Sequence, residues 1–445
     1  MLRPIGIDLF AGAGGLSLGF EQAGFDVAAA VEIDPVHALV HGFNFPECAV
    51  IPKSVSGLRG DEIRRTARLG SRPVDVVFGG APCQGFSLIG QRAFDDPRNA
   101  LVREFVRIVS EIDASYFVFE NVKGLTLGRH RQFLEELIEE FEKRDYRIRT
   151  PWRVLNASSY GVPQDRERLV LLGAKKGLPL PEYPARVTHP AGSHECDNLP
   201  EGPSCRDALA DLPEAEDFEE LLTGDSVRTN RWGKPSPYAR KLRCLDNEAW
   251  HFGYPRLWDP LVLTASARTD HTLISRRRFE ETEPDDIEPI SRFFKLPPAG
   301  ASNTLRAGTD SARGAFTSPR PIHYERARCI TVREMARLHG FPDWFRFHET
   351  KWHGARQIGN SVPPPLARAV ATEILAALGV KPAMLRKTLA LGDPAVLRMG
   401  MAEASDYWGV IVPIGGRDRK SGARKRKQSE IEEQRRSTTM RAVYG

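Results

Sequence analysis

The sequence predicts an α/β protein built on a mostly parallel sheet. Three observations carry this. Short, uninterrupted apolar runs recur through the first 175 residues, helical periodicity separates them, and a glycine-rich turn directly follows the first run. Runs of Val, Ile, Leu and Phe without polar alternation are strands buried on both faces, and a parallel sheet covered by helices buries both.

Taken in order, the runs set out the elements. Ile5-Gly6-Ile7-Asp8-Leu9-Phe10 is the first strand. Ala11 to Gly15 is the glycine-rich turn, and a helix starts at Leu16 with Gly24 as its stop. Residues 27–32 make the second strand. Val74-Asp75-Val76-Val77-Phe78 makes the third, followed by Gly79-Gly80. Pro97 opens a helix with Leu101, Phe105 and Ile108 on one face at i, i+4, i+7 spacing. Tyr116-Phe117-Val118-Phe119 and Leu169-Val170-Leu171-Leu172 complete the series. The texture changes near residue 176, where Pro, Gly, Arg and acidic residues replace the periodic apolar pattern. Helical texture returns at 331–338 and from Pro364 towards Leu378. The expected organisation is therefore a body over 1–175, an irregular module over 176–330, a return to the body over 331–380, and an extension over 381–445 ending in a basic, disordered tail.

Composition excludes several classes. The 445 residues are 41% hydrophobic and 27% charged, which is globular rather than disordered usage. No apolar run approaches the roughly 20 residues that span a bilayer, and the N-terminus runs straight into a strand, so neither a membrane span nor a signal peptide is expected. Six scattered cysteines without a Cys-x-x-Cys pair argue against a zinc ribbon or disulfide scaffold and fit a reducing cytoplasm. The formal charge of +5 is misleading, because residues 417–436 alone carry +5 and Arg441 adds one more, leaving the first 416 residues at −1. Within the irregular module, residues 207–225 hold eight acids and no base, and residues 226–280 sum to +6. A nucleic-acid surface must come from such local clustering.

Five segments bear chemistry. Gly12, Gly14 and Gly15 after the first strand allow a ligand to approach backbone amides, and Glu32 at the end of strand two is placed to accept from ribose hydroxyls. The turn is not a full G-x-G-x-x-G, since Ser17 stands where the third glycine would be. Cys83 follows the third strand in Gly79-Gly80-Ala81-Pro82-Cys83-Gln84-Gly85-Phe86-Ser87, flanked by residues that are not core formers. Glu120-Asn121 ends the next strand on the same sheet edge. Its carboxyl, beside apolar strand residues, is a candidate for a raised pKa. Gln164-Asp165-Arg166-Glu167-Arg168 places two arginines at i, i+2, on one side of an extended chain. Gln357-Ile358-Gly359-Asn360-Ser361-Val362 precedes the last helix, with Asn360 and Ser361 able to bond a ligand or cap that helix.

In this order and spacing, the segments resemble the DNA (cytosine-5)-methyltransferase family. The likeness spans Pro4 to Gly173 and Arg328 to Leu378, about half the chain, and also takes in Arg333-Glu334 and Gly340-Phe341-Pro342. The pairing of Pro82-Cys83-Gln84 with Glu120-Asn121-Val122 is its most specific part. The resemblance implies a Rossmann-like S-adenosylmethionine-dependent methyltransferase fold with a smaller, irregular target-recognition domain, here 176–330. It implies S-adenosylmethionine as cofactor, held by Phe10, Gly12, Gly14, Leu16, Glu32, Pro82, Leu101, Asn360, Ser361 and Val362. The family often reads the adenine amino group with an Asp near the third strand. Lys53-Ser54-Val55-Ser56 stands there instead, leaving Ser54 or backbone for that task.

The implied catalytic set is Cys83 as nucleophile on cytosine C6, Glu120 on N3 and the exocyclic amine, and Arg168 with Arg166 on O2 or on the Glu120 carboxylate. No metal is implied. The loop from Gln84 to Arg98 and the recognition domain would extrude the target base, with Gln84, Ser87, Arg92, Arg276 and Arg277 among the DNA contacts. Thr272-Leu273 and Thr304-Leu305 both match a Thr-Leu pair seen in such domains. The expected partner is double-stranded DNA, bound by a cytoplasmic, nucleoid-associated monomer. A cognate restriction endonuclease would be its functional counterpart. A solitary regulatory methyltransferase would look the same. An RNA cytosine-5 methyltransferase is the alternative, disfavoured because the Pro-Pro-Cys of the transfer-RNA branch is missing. A DNA-binding protein with a decayed site is disfavoured by the intact Cys83, Glu120, Arg166 and Arg168. The missing third glycine argues against a dehydrogenase.

Overall fold

The computed structural model describes residues 3–82, 99–128, 130–193, 198–308, 320–385 and 387–412. In chain order, the body contains β1 (Ile5–Leu9), α1 (Gly15–Ala23), β2 (Asp26–Val31), α2 (Pro35–Asn44), β3 (Ala49–Ile51), α3 (Gly60–Thr66), β4 (Val76–Gly79), α4 (Ala100–Ile112), β5 (Tyr116–Val122), α5 (His130–Glu142), β6 (Tyr146–Ile148), β7 (Arg153–Asn156) and β8 (Glu167–Lys175). The irregular region carries α6 (Cys205–Leu209), α7 (Pro237–Leu242) and α8 (Leu273–Glu281). The chain then returns through α9 (Val332–Leu338), α10 (Lys351–Asn360), α11 (Pro364–Leu378) and α12 (Met401–Trp408).

The sheet order is β3-β2-β1-β4-β5-β8-β6, with β7 also paired to β8. The first five strands are parallel, as the alternating pattern predicts. β8 enters antiparallel to β5, because no crossover helix lies between β7 and β8 to reverse its direction. Side chains alternate across the sheet as a strand period of two requires. Val77, Phe117, Phe119, Leu169 and Leu171 pack with α4 and α5 on one face. Val76, Phe78, Tyr116, Val118, Val170 and Leu172 pack with α1 and α11 on the other. The carboxyl ends of β1, β2, β4 and β5 therefore meet at one edge, where ligand sites form in open α/β sheets.

Two features refine the expected organisation. The extension does not leave the body at residue 380. Val396, Leu397 and Ala404 bury against Val36, Leu39, Val40 and Phe43 of α2, and Trp408 donates its indole N–H to Pro35 O at 3.2 Å. The basic tail lies outside the described residues. The irregular region is also strapped to the body: Arg256, buried, bonds both oxygens of Glu21 at 3.0 and 2.8 Å, and Tyr254 donates to Asp26 at 2.8 Å. Among the described residues, no helix is long and apolar enough to cross a membrane.

Candidate active site

A cleft of about 560 Å³ opens at the sheet's carboxyl edge. Phe10, Gly12, Leu16, Glu32, Pro82, Leu101, Asn360, Ser361 and Val362 line it, and so does Glu120. The turn after β1 builds one wall. Phe10 sits at φ 62 and Gly12 at φ 54, a left-handed pair that turns the backbone N–H of Gly12 onto Glu32 Oε2 at 2.8 Å. Glu32 Oε1 accepts from Asp34 N at 2.8 Å. Both carboxylate oxygens are thus fixed, with lone pairs to spare for a ligand's hydroxyls. Burial pushes the Glu32 carboxyl up from its usual range.

Gly15 brings the last core helix to this wall. A Cβ there would lie 2.4 Å from Val362 O, so only glycine lets residues 360–362 close the cleft. Gly14 does not line it. Its absent Cβ makes room for the Phe45 ring, which would otherwise lie at 2.4 Å, so Gly14 supports the turn from behind. Ser17, at the place of a third glycine, is buried and donates to Asp8 Oδ2 at 2.7 Å, anchoring the start of α1 to β1. Lys53, Ser54 and Val55, the segment the resemblance sets against adenine, also line the cleft. Ile33, Asp34, His37, Arg356 and Gln357 also line the cleft. Of these, only Gln357 had a sequence signal, as the first residue of the Gln-Ile-Gly-Asn-Ser run.

At the other end stands Glu120. Gly80 faces it so closely that a Cβ would lie 2.5 Å from Glu120 Oε2. The Arg168 guanidinium pairs with Glu120 Oε1 at 2.8 Å, both side chains being largely buried. Burial raises the Glu120 pKa, and the charges of Arg168 and Arg166 oppose that rise. Asn121 donates from its amide to Ala81 O at 2.9 Å, fixing the backbone two residues before Cys83. Cys83, Gln84, Ser87 and Arg92 lie outside the described residues. The chain approaches them through Pro82 at the rim of the cleft.

Every residue of Gln164-Asp165-Arg166-Glu167-Arg168 has a partner. Arg168 takes Glu120, and Glu167 takes Lys123 at 2.7 Å. Asp165 accepts from Asn156 at 2.6 Å. Gln164 accepts from Leu305 N at 3.1 Å and faces His339 at 2.9 Å. Arg166 departs from the expectation that it shares Arg168's task. It is buried, and its guanidinium donates to Leu305 O at 3.0 Å and to Gly359 O and Ser361 O at 2.8 Å each. Burial, with Arg168 nearby, holds its pKa down at about 9. It is a clamp between the cleft and the irregular region.

The two Thr-Leu pairs also separate. Thr272 caps α8, accepting from Ser275 N at 3.3 Å. Thr304 donates to Asp165 O at 2.7 Å, beside the arginine motif. Arg276 is taken by Glu216 at 2.6 Å, and Arg277 by Glu281 at 2.8 Å on the same helix.

The family model of the C-5 cytosine-specific DNA methylases matches residues 5–376. The protein belongs to that family. As a DNA (cytosine-5)-methyltransferase it has similar relatives across most of its length. It is 59% identical over 410 residues to the type II methyltransferase M.XorII of Xanthomonas oryzae pv. oryzae, covering 92% of this chain and 93% of the other. It is 34% identical over 375 residues to M1.HphI of Haemophilus parahaemolyticus, covering 83% and 86%. A crystal structure of a protein encoded within an E. coli prophage, described as a DNA modification methyltransferase, superimposes with a TM-score of 0.68 at 33% identity, over 85% of this chain and all of that one. This match carries the S-adenosylmethionine-dependent methyltransferase fold, with its mostly parallel sheet and flanking helices, over to the methylase described here.

Proposed function

We propose that this methyltransferase modifies C5 of a cytosine turned out of duplex DNA within one short sequence, through a covalent bond between Cys83 and cytosine C6. The observation that carries the reading is the Glu120–Arg168 pair at 2.8 Å, in the same cleft as Glu32 and next to the backbone that leads into Cys83. The cleft residues fit S-adenosylmethionine. Phe10, Leu16 and Leu101 offer apolar surface for a base, Glu32 offers free lone pairs for ribose hydroxyls, and residues 360–362 close the site. Bound there, S-adenosylmethionine supplies an electrophilic sulfonium methyl group, which is what an activated C5 needs.

The protein's own groups create that activation. The Cys83 thiolate adds to C6, and the C5–C6 π electrons move to make C5 an enamine-like nucleophile. Glu120, its pKa raised by burial, holds N3 with a carboxyl proton and accepts from the exocyclic amine, stabilising the adduct's charge. Arg168 orients that carboxyl. Water takes the C5 proton, and the electrons of that C–H bond re-form the C5–C6 double bond as the Sγ–C6 bond breaks, freeing Cys83 as its thiolate. Extrusion of the base costs a few kcal/mol, to be met by the loop after Cys83 and by the region over 176–330.

The type II names of the relatives support a role in protecting cytoplasmic, nucleoid-associated DNA from a cognate endonuclease. The test is bisulfite sequencing of DNA from cells expressing the wild type or Cys83→Ala. Methylcytosine confined to one motif, and lost in the variant, is the expected result. A pattern unchanged in the variant overturns the covalent mechanism.

A further inference from the structure

A shallow groove of about 160 Å³ lies in the irregular region, bordered by Arg292, Phe294, Asn303, Thr304 and Arg306. We propose that Arg292 and Arg306 read base edges of the DNA flanking the target cytosine. The inference rests on the methyltransferase reading above and assigns part of its sequence specificity.

The first support is which cations are free. The arginines that a charge count favours already hold carboxylates: Arg228 pairs with Asp259, Arg243 with Asp211, Arg256 with Glu21, Arg276 with Glu216 and Arg277 with Glu281. The side chains of Arg292 and Arg306 are exposed, with no hydrogen-bond or ion-pair partner among the described residues. Neither lies in the basic stretch over 226–280. A guanidinium that the protein leaves unpaired keeps its planar fork available for the O6 and N7 of guanine.

The second support is placement. Arg306 is held between two fixed neighbours. Leu305 is clamped by Gln164 and Arg166 at 3.1 and 3.0 Å. The backbone of Ala307 passes so close to Gly359 that a Cβ there would lie 2.3 Å from its N atom. Gly359 adjoins Asn360 in the cleft wall, so Arg306 is a rigid step away from that cleft. Arg292 stands at φ 61, a left-handed backbone that suits glycine. A tight loop imposes this conformation: Arg292 N donates to Glu288 O at 2.9 Å, Glu288 N donates to Phe293 O at 2.8 Å, and the buried Glu288 carboxylate accepts from Ile290 N and Ser291 N. An arginine kept where the backbone disfavours a side chain points to a task for that side chain.

The experiment uses the full-length protein and duplexes carrying its methylated motif, each with one flanking base pair replaced. The variants are Arg292→Ala, Arg306→Ala, Arg306→Lys and Arg292→Gly. Each alanine variant should lower kcat/KM on the cognate duplex by about tenfold or more and should accept replacement at one position, since a bidentate contact discriminates at one base pair. Arg306→Lys should not restore discrimination. Arg292→Gly should melt no lower than wild type, because it relieves the φ strain, yet lose discrimination as Arg292→Ala does. An equal loss on every duplex with a salt slope smaller by about one would mean a phosphate contact and overturn the proposal. So would unchanged discrimination. If the wild type leaves no methylcytosine at all, the methyltransferase reading itself fails; if its motif is intact and the variants keep it, only this inference does.

Discussion

Arg166 gives the sharpest test of the site's construction. Its spacing from Arg168 suggests shared contact with the substrate, whereas its geometry is that of a clamp on three carbonyls. Replacement by Met keeps much of the volume and removes the charge. Three hydrogen bonds from a charged donor are worth about 1.5–3 kcal/mol each, or roughly 5–9 in total. Against this stands burial of the guanidinium, which lowers its pKa from 12.5 to about 9. At 1.36 kcal/mol per unit that is a cost of about 5 kcal/mol. The net loss in Arg166→Met is therefore about 0–4 kcal/mol, near 2 at the middle of that range, and Ser361 O retains His339 Nε2 at 3.1 Å. Arg166→Lys should be no better. It buries a compact ammonium that cannot span carbonyls contributed by Leu305, Gly359 and Ser361.

The assay is urea denaturation together with steady-state kinetics for both substrates. Both variants should lose stability, and KM should rise for cofactor and DNA together, because Ser361 lines the cleft and Leu305 belongs to the irregular region. A direct role in chemistry would look different. Arg166→Met within about 0.5 kcal/mol of wild type, the scale of a neutral surface change, but with kcat collapsed and both KM values unchanged, would refute the clamp.

Three further outcomes follow from the same geometry. Glu120→Gln keeps an acceptor for Arg168 but loses the transferable proton, so single-turnover methylation should slow by about 10²–10⁴-fold with circular dichroism unchanged; a fall under about threefold would remove Glu120 from the acid–base role. Gly80→Ala places a methyl 2.5 Å from Glu120 Oε2 and should reproduce much of that loss without touching any ionisable group, as measured by the same single-turnover assay. Asp8, fully buried, has its pKa raised to about 8 by burial, against the bond from Ser17. A raised carboxyl contributes most below pH 3.8 and loses that contribution as pH climbs to about 8, a drain of at most about 6 kcal/mol at 1.36 per unit. Urea midpoints at pH 5 and pH 8 should therefore diverge in the wild type and converge in Asp8→Asn; equal divergence in both would show that Asp8 does not titrate in this window.

Most strands legible in the sequence carry an apolar run, such as Tyr116-Phe117-Val118-Phe119 or Val76-Val77-Phe78, while β1, interrupted by Gly6 and Asp8, was marked by the glycine-rich turn after it. β3, β6 and β7 escaped because three or four residues give no pattern, and pairing rather than propensity makes them strands. Most of the cleft was legible for the opposite reason: glycines and a distant acid leave a signature that only a close backbone approach needs. Gly14 shows the limit, since a glycine that admits a ligand and one that admits Phe45 read alike. Arg166 shows another. Spacing told which side it faces, but its acceptors come from residues 139 to 195 positions away. His37 and Arg356 reach the cleft with no local signature.

Net charge is the least informative of these signals, because it counts groups and ignores pairing. The acidic run over 207–225 is largely countercharge within the fold. Asp211 and Glu214 meet Arg337 and Arg328 of the α9 segment, at 2.9 and 2.8 Å. Arg337 also holds Asp343 through two bonds, and Arg328 holds Glu334 through two. Buried pairs of this kind add little net stability over apolar packing, yet breaking one costs about 3–5 kcal/mol. Their effect is to penalise every other arrangement of the irregular region against the body. Together with Arg166 and Arg256, they hold that region in one position relative to the cleft. On the function proposed above, this region would meet the DNA with its arrangement against the body already set by these pairs. On that reading, discrimination would fall to unpaired side chains such as Arg292 and Arg306, and the distortion needed to present a cytosine would fall on the DNA.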